Sequence, residues 1–389
     1  MKVQQTTFAQ TPSADDLAPL AAIAPQLILV FGSVSALTAP DLLPTLVGAF
    51  GSAAMAGCST AGEIGQQGVT DNQLVVSAVH FDHPGLRAAT TELSGMTDSR
   101  AAGLRLAEQL ASPGLHTVMV FGQGVNINGS ALIAGFRDGL APEVALSGGL
   151  AGDGGAFVET LTLSRGAVSS SQIVAIGFTD ARTQVKHSSF HGWRPFGPAR
   201  KVTRCEGNVL YELDGSPALD VYKKYLGEYA KDLPGSGLLF PFEMLGQELQ
   251  TSGLIRTILG VDDANGSLIL AGDIDADGYL RLMHASTDSL VDGAQDAASA
   301  IGIENTGTGA EAGKDASLAV LVSCVGRKLV MGSRVDEEVE AVTEVLGRGT
   351  CVAGFYSYGE ISPSLQGGMT CNLHNQTMTI THLSEHVAG

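Results

Sequence analysis

The chain has 389 residues, 44% of them hydrophobic and 16% charged, so it can bury a sizeable core, and its length predicts about two domains. A net charge of −18 disfavours nucleic acid and anionic membrane as partners. No apolar run is long enough to span a bilayer, and Met1-Lys2-Val3-Gln4-Gln5 lacks a signal peptide's apolar stretch, which predicts a cytoplasmic protein.

Residues 1–24 read as a loose arm with a short helix over 14–22. From about 26 to 180, strands alternate with helices. Apolar runs at Leu27-Ile28-Leu29-Val30-Phe31, Val118-Met119-Val120-Phe121 and Leu318-Ala319-Val320-Leu321-Val322 are each followed by a helix-like segment, starting near Asp41, Ser130 and Val335. Each helix leads to a glycine corner. The first is Ala56-Gly57-Cys58-Ser59-Thr60-Ala61-Gly62-Glu63-Ile64-Gly65. It recurs as Ala353-Gly354-Phe355-Tyr356-Ser357-Tyr358-Gly359-Glu360-Ile361-Ser362, with a degenerate copy at Ala151-Gly152-Asp153-Gly154. A strand–helix–strand–corner unit therefore repeats three times. Glycine in such a corner marks positive φ or a close approach, and the corners at Gly57, Gly62, Glu63, Gly359 and Glu360 are expected to face one cavity.

The helix over 99–111 places Ala102, Leu106 and Leu110 on one face, and Asn128 is an N-cap for the next. Residues 157–163 and 172–178 read as an antiparallel pair. The segment 187–222 changes character, with the chain's one tryptophan, Trp193, and a basic cluster, Arg194, Arg200, Lys201 and Arg204. Two further strands are expected over 253–261 and 266–273. Asp273-Ile274-Asp275-Ala276-Asp277-Gly278 lacks the distal Glu of a calcium loop and reads as a polar turn. Helices follow over 289–301 and 335–346, and the chain ends in a strand pair around Gly367-Gly368. The cysteines, Cys58, Cys205, Cys324, Cys351 and Cys371, include no Cys-x-x-Cys, which argues against a zinc ribbon or disulfide framework. The fold class expected is α/β with α+β character: an arm over 1–24 and two layered domains with mixed sheets, 25–195 and 196–389.

Several motifs resemble those of FIST proteins, bacterial sensor modules of intracellular signal transduction. They are Gly57-Cys58-Ser59-Thr60-Ala61-Gly62-Glu63-Ile64, Gly148-Gly149-Leu150-Ala151-Gly152-Asp153-Gly154, Gly192-Trp193-Arg194-Pro195, Glu206-Gly207-Asn208, Leu213-Asp214-Gly215-Ser216-Pro217-Ala218-Leu219-Asp220, Gly359-Glu360-Ile361-Ser362-Pro363 and His374-Asn375-Gln376-Thr377. The resemblance covers nearly the whole chain, as an N-terminal and a C-terminal FIST domain. It extends to the stand-alone, nitric-oxide-sensing branch, NosP, which implies haem b, nitric oxide as gas ligand and a histidine kinase as partner. No fused output domain is read in the chain, and a homo-oligomer is compatible with it.

A haem sensor needs a neutral imidazole on iron, an apolar slot and cations for the propionates. In that role His191 is the expected ligand, with His187, His374 and Cys58 as alternatives. Trp193 and Phe196, with Phe190, are expected to line the ring, and Arg194, Arg200 and Arg204 to meet the propionates. The competing expectation is a haem-free sensor in which Glu63, Glu360 and the corner amides hold an amino acid or similar metabolite. An enzyme built on Glu63 or Glu360 with Cys58 or Ser59 lacks a nucleophile–base–orienter spacing, so none is expected.

Overall fold

The computed structural model describes residues 1–302, 317–363 and 371–385. The first repeat runs β1 (Lys2–Phe8), α1 (Ala14–Ala21), β2 (Leu27–Gly32), α2 (Val34–Leu37), α3 (Leu42–Phe50), β3 (Ala54–Ser59), β4 (Glu63–Gly65), β5 (Gly68–Thr70) and β6 (Leu74–His80). The second runs β7 (Leu86–Glu92), α4 (Ser99–Leu110), β8 (Thr117–Gly122), α5 (Gly129–Gly139), β9 (Ala145–Leu150), β10 (Thr162–Ser164), β11 (Val168–Ser169) and β12 (Gln172–Phe178). The third begins with β13 (Thr183–Phe190) and is interrupted. The insert holds β14 (Arg194–Pro195), β15 (Arg200–Glu206), β16 (Val209–Leu213), β17 (Ser216–Pro217), α6 (Ala218–Leu226), β18 (Phe242–Leu245), β19 (Thr251–Arg256), β20 (Ile258–Asp262), β21 (Ser267–Leu270) and β22 (Tyr279–His284). The repeat resumes with α7 (Thr287–Ala300), β23 (Ser317–Cys324), α8 (Val325–Met331), α9 (Asp336–Leu346), β24 (Thr350–Ser357), β25 (Gly359–Pro363), β26 (Cys371–His374) and β27 (Met378–Glu385).

Three six-stranded mixed sheets result, ordered β1-β6-β2-β3-β10-β11, β7-β12-β8-β9-β25-β26 and β13-β27-β23-β24-β4-β5. Each repeat supplies four strands of its own sheet and sends a hairpin to a neighbour. Hairpin β4–β5 of the first completes the third sheet, β25–β26 of the third completes the second, and β10–β11 of the second completes the first. The exchange is cyclic and closes a ring. Its inner faces share one core, at whose centre Phe31, Phe121 and Phe355 meet with centroids 4.9–6.0 Å apart. Helices α1 and α3, α4 and α5, and α7 and α9 cover the outer faces. Asn128 Oδ1 caps α5 through Ala131 N, as expected.

Register fixes the equivalences. Gly57 lies opposite Val30, Gly148 opposite Val120 and Gly354 opposite Leu321, each on a parallel strand pair. A Cβ at any of the three would stand within 2.0 Å of that carbonyl oxygen, so only glycine fits. The middle copy is therefore anchored at Gly148, not at Ala151-Gly152. Two other expectations are corrected. Residues 157–161 form a loop, and β10 pairs with β3 and β11 rather than with β12. The expected strand over 253–261 breaks at Thr257. The terminal turn at Gly367-Gly368 lies outside the described residues.

The corners close one end of the ring. Ala61 N donates to Tyr356 O (2.8 Å), Gly152 N to Ser59 O (2.9 Å) and Tyr358 N to Leu150 O (3.1 Å). Buried carboxylates steady two of the corners, and a half-buried one, Asp153, the loop of the third. Glu63 accepts from Thr60 Oγ1 (2.5 Å) and Gln73 N (3.0 Å), and Glu360 from Ser357 Oγ (2.7 Å) and from Thr377 N (3.1 Å) and Oγ1 (2.8 Å). Asp153 accepts from Phe157 N, Val158 N and Glu159 N at 2.7–3.0 Å. Burial outweighs these bonds for Glu360 and lifts its pKa to about 7.

The insert's sheet runs β19-β18-β22-β15-β16-β21-β20, with β14 on β22 and β17 on β16. Its two end strands are consecutive in the chain, joined by Thr257 alone, so the sheet curls back on itself around α6. The expected division at 195/196 falls at the end of β14, just inside the insert. A buried ion pair in the body holds the linker that leads into the insert. Arg327 Nη2 reaches Glu338 Oε2 at 2.7 Å, both side chains fully buried, and the guanidinium also donates to the carbonyls of His191 and Leu290. Glu338 Oε1 accepts from Ser323 Oγ (2.9 Å) and Tyr356 OH (2.6 Å).

Removing one member strands the other in the core. Arg327→Met should cost about 3–5 kcal/mol in urea denaturation, while Arg327→Met with Glu338→Leu should cost less than Arg327→Met alone. For Glu360 the sign follows from a folded pKa above the unfolded one. Its contribution is complete below about 4.5 and is lost as pH rises through about 7. Between pH 5 and 8 the natural protein should therefore lose roughly 1–3 kcal/mol relative to Glu360→Gln, read as the difference between their urea midpoints at each pH.

Candidate functional site

The chain leaves β13 through His191-Gly192. Gly192 has φ 75°, and a Cβ there would lie 2.1 Å from Ser289 O, so glycine lets the linker press on the start of α7. Trp193, 3% exposed, is sealed among Ile255, Met283, Leu290 and Met331, with its indole N–H on Gln376 O at 3.0 Å. His191 Nδ1 accepts from Trp193 N at 3.0 Å, and burial lowers its pKa. The neutral ring therefore carries its proton on Nε2, the nitrogen that would face a metal.

Arg200 and Arg204, and with them Lys201, are engaged elsewhere. Arg200 binds Asp214 Oδ2 (3.0 Å) and Tyr225 OH (2.6 Å). Arg204 stacks over Tyr211 at 4.3 Å and pairs with Glu212 at 3.8 Å. Lys201 Nζ bonds Asp277 O and lies over Tyr279. Arg194 is exposed on β14 opposite His284, and Phe196 meets the His284 ring edge-on. A haem at His191 would need the imidazole turned, the indole withdrawn and the Arg200 and Arg204 guanidinium groups released, so these residues as arranged do not fit one.

The corners bond to one another. Gly62 does have positive φ (138°), but Gly359 is fixed by crowding, since a Cβ there would stand 3.1 Å from side-chain atoms of Leu150 and Leu373. Glu63 and Glu360 spend their oxygens on hairpin donors and offer a ligand amine little. Cys58 lies fully buried in the central core, where burial pushes its thiol well up and away from thiolate. His187 on β13 is also neutral, held at about 4 by burial.

The unspent polar groups lie where the turn between β26 and β27 meets the insert. His374 Nε2 bonds Ser362 O at 3.1 Å, which places the proton there and leaves Nδ1 as a bare acceptor. Burial first, then the charge of Arg256, holds this ring neutral at about 4. Asn375 Nδ2 donates to His374 O and Gln376 Nε2 to Leu238 O, each at 2.9 Å, yet both amide oxygens are buried without a partner. Thr257 Oγ1, where the insert's sheet meets itself, is likewise unpartnered. Beside it Arg256, 4% exposed, donates to the carbonyls of Asp273, Ile255 and Leu373 at 3.0–3.1 Å. Burial lowers its pKa to about 10, so it stays cationic at neutral pH, and among the described residues no carboxylate lies at ion-pair distance. Of this set the sequence motifs named His374, Asn375 and Gln376. Arg256 and Thr257 were missed, and their one sequence signal is a polar pair inside an apolar strand run.

Among the described residues there is no group of three or more His, Cys, Asp and Glu able to hold a metal ion, and no helix long and apolar enough to cross a membrane. An uncharacterized protein of Methanocaldococcus jannaschii is 34% identical over 88 residues, 23% of this chain and 17% of its own length. An uncharacterized protein of Mycobacterium tuberculosis is 28% identical over 183 residues, 44% of each chain. The chain thus spans less than half the length of these curated relatives. The solved structure of a cyanuric acid hydrolase from A. caulinodans aligns over 100% of this chain and 99% of its own, at TM-score 0.38 and 10% identity, too remote for argument. The FIST N domain matches residues 26–216 and the FIST C domain residues 218–363, so the chain belongs to the FIST family.

Proposed function

We propose that this sensor takes a small zwitterionic metabolite, an amino acid or close analogue, where the insert meets the turn between β26 and β27. The observation that carries the reading is the buried guanidinium of Arg256 with no carboxylate at ion-pair distance among the described residues, beside acceptor atoms without donors. A buried charge lacking a counter-charge is costly, and a ligand carboxylate supplies one in the planar geometry that guanidinium suits. His374 Nδ1, Asn375 Oδ1 and Gln376 Oε1 offer lone pairs, which suit an ammonium group. The site lies between insert and body, so occupancy favours one relative setting of the two, and that setting is the signal. A histidine kinase, the partner implied by the resemblance to NosP proteins, would read it by contact. Haem has no part in this reading.

Melting temperatures across an amino-acid panel test it. At saturation one member should raise the melting point by several degrees, and Arg256→Met should lose that response while remaining folded. Silence across the panel, or an undiminished response in Arg256→Met, refutes the assignment. An intense Soret band in the purified protein that shifts with nitric oxide would return the reading to haem.

A further inference from the structure

Helices α3, α5 and α9 are counterparts, since each leads into the strand that carries Gly57, Gly148 or Gly354. Those strands, β3, β9 and β24, each pair on one side with a borrowed hairpin: β10–β11, β25–β26 and β4–β5 in turn. Helix and hairpin therefore flank three equivalent seams. In the first, Leu163 and Val168 of the hairpin join Leu42, Leu46 and Phe50 of α3 in one apolar cluster. The fold can thus close such a seam with the chain's own side chains.

The second seam is left open. A cleft of about 390 Å³, within the range of small-molecule sites, is lined there by Phe136 and Arg137 of α5 and by Leu140, Ala141 and Val144 just after it. Leu146 of β9 and Cys371 of β26 complete the lining. Phe136, Val144, Leu146 and Cys371 are buried and form an apolar floor, whereas Arg137 and Ala141 are exposed and stand at the rim. The third seam is open as well, over about 700 Å³, but Asp336, Glu340 and Glu344 line it. The two open seams are therefore opposite in chemistry, and the second sets a cation over apolar side chains.

Arg137 alone carries a charge among the described residues that line the second cleft. Its Nη2 donates to Cys371 O, which fixes the guanidinium against the wall of the cleft. The adjacent carboxylate, Asp138, is spent on Arg100 at 2.8 Å, and among the described residues no carboxylate lies at ion-pair distance of Arg137. A guanidinium carries its N–H donors in a planar fork, so most of this one is left for another acceptor.

We propose that this cleft binds a small carboxylic acid with an apolar body, of about the size of octanoate, in its ionised form. The carboxylate takes the free donors of Arg137 in the planar pairing that guanidinium favours. The tail displaces water from Phe136, Leu140, Val144 and Leu146, as Leu163 and Val168 do against α3 in the first seam. The site does not rest on the reading given for the junction, whose cation is Arg256 on β19 rather than Arg137 on α5.

Calorimetric titration of the full chain with octanoate, kept below its micellar concentration, tests this, with octan-1-ol as the uncharged control. Octanoate should bind saturably at one site, and octan-1-ol at least about 10-fold more weakly. Arg137→Met should weaken octanoate by at least about 10-fold too. Ala141→Trp, which fills the cleft from its rim, should abolish binding, while Arg256→Met leaves it unchanged. Arg137 and Ala141 are both exposed, so these variants keep the fold. No saturable binding, equal binding of octan-1-ol, octanoate binding that survives undiminished in Arg137→Met or Ala141→Trp, or its loss in Arg256→Met would overturn the proposal.

Discussion

Three backbone hydrogen bonds hold the ring shut: Ala61 N to Tyr356 O, Gly152 N to Ser59 O and Tyr358 N to Leu150 O. Each joins one repeat to the next, and the parallel strands ahead of each lie close enough to require Gly57, Gly148 and Gly354. The hairpins that follow then complete a neighbour's sheet rather than their own. No sheet is finished without another repeat, so borrowed hairpins cover edges that would otherwise invite mispairing. The cost is that every closing contact is distant in sequence, as with Glu63 on Phe355 and Gly359 on Leu150. Such a ring is expected to form late and as a unit.

The insert breaks this symmetry, and the unsatisfied chemistry follows the break. Among the described residues, buried side-chain polar atoms without a partner belong to the third repeat and insert in all but two cases, Ser147 and Gln172. Each such group costs about 1–3 kcal/mol, and several together rival the net stability of an ordinary domain. A chain bears that where the groups serve something other than folding. The first repeat supplies the contrast: Gln5, Glu63 and Thr60 meet every demand of their seam and corner from within the chain.

The repeat and the α/β class were legible because the frame Ala-Gly, four residues, Gly-Glu-Ile survives in two copies, and because apolar runs mark the central strands. The middle copy was misplaced by four residues. There Asp153 stands at the position of Gly62, and only the backbone role of Gly148 marks the register. The hairpin exchange could not be read, since it joins residues that no local pattern links. At the site, the segment around Trp193 stands out in composition, yet its tryptophan, Arg200 and Arg204 are consumed locally. His374 was noticed for its place beside the corner. Arg256 belongs to no motif, and its burial beyond ion-pair distance of the described carboxylates exists only in three dimensions.

Binding at the proposed junction site would be read outside it because the turn of His374 to Thr377 touches three parts of the fold. It bonds the insert through Gln376 Nε2 on Leu238 O, the linker through Trp193 on Gln376 O, and the corner through Thr377 on Glu360. Arg327 grips the same linker at the carbonyl of His191 and, through Glu338, the hydroxyl of Tyr356, whose own carbonyl accepts one of the three ring-closing bonds. A ligand that engages Arg256 and this turn therefore pulls on the insert, the linker and a corner together. It can shift the protein only by the difference between its affinities for two settings of the insert. A buried charge satisfied in one setting and stranded in the other is the kind of contact that makes such a difference large.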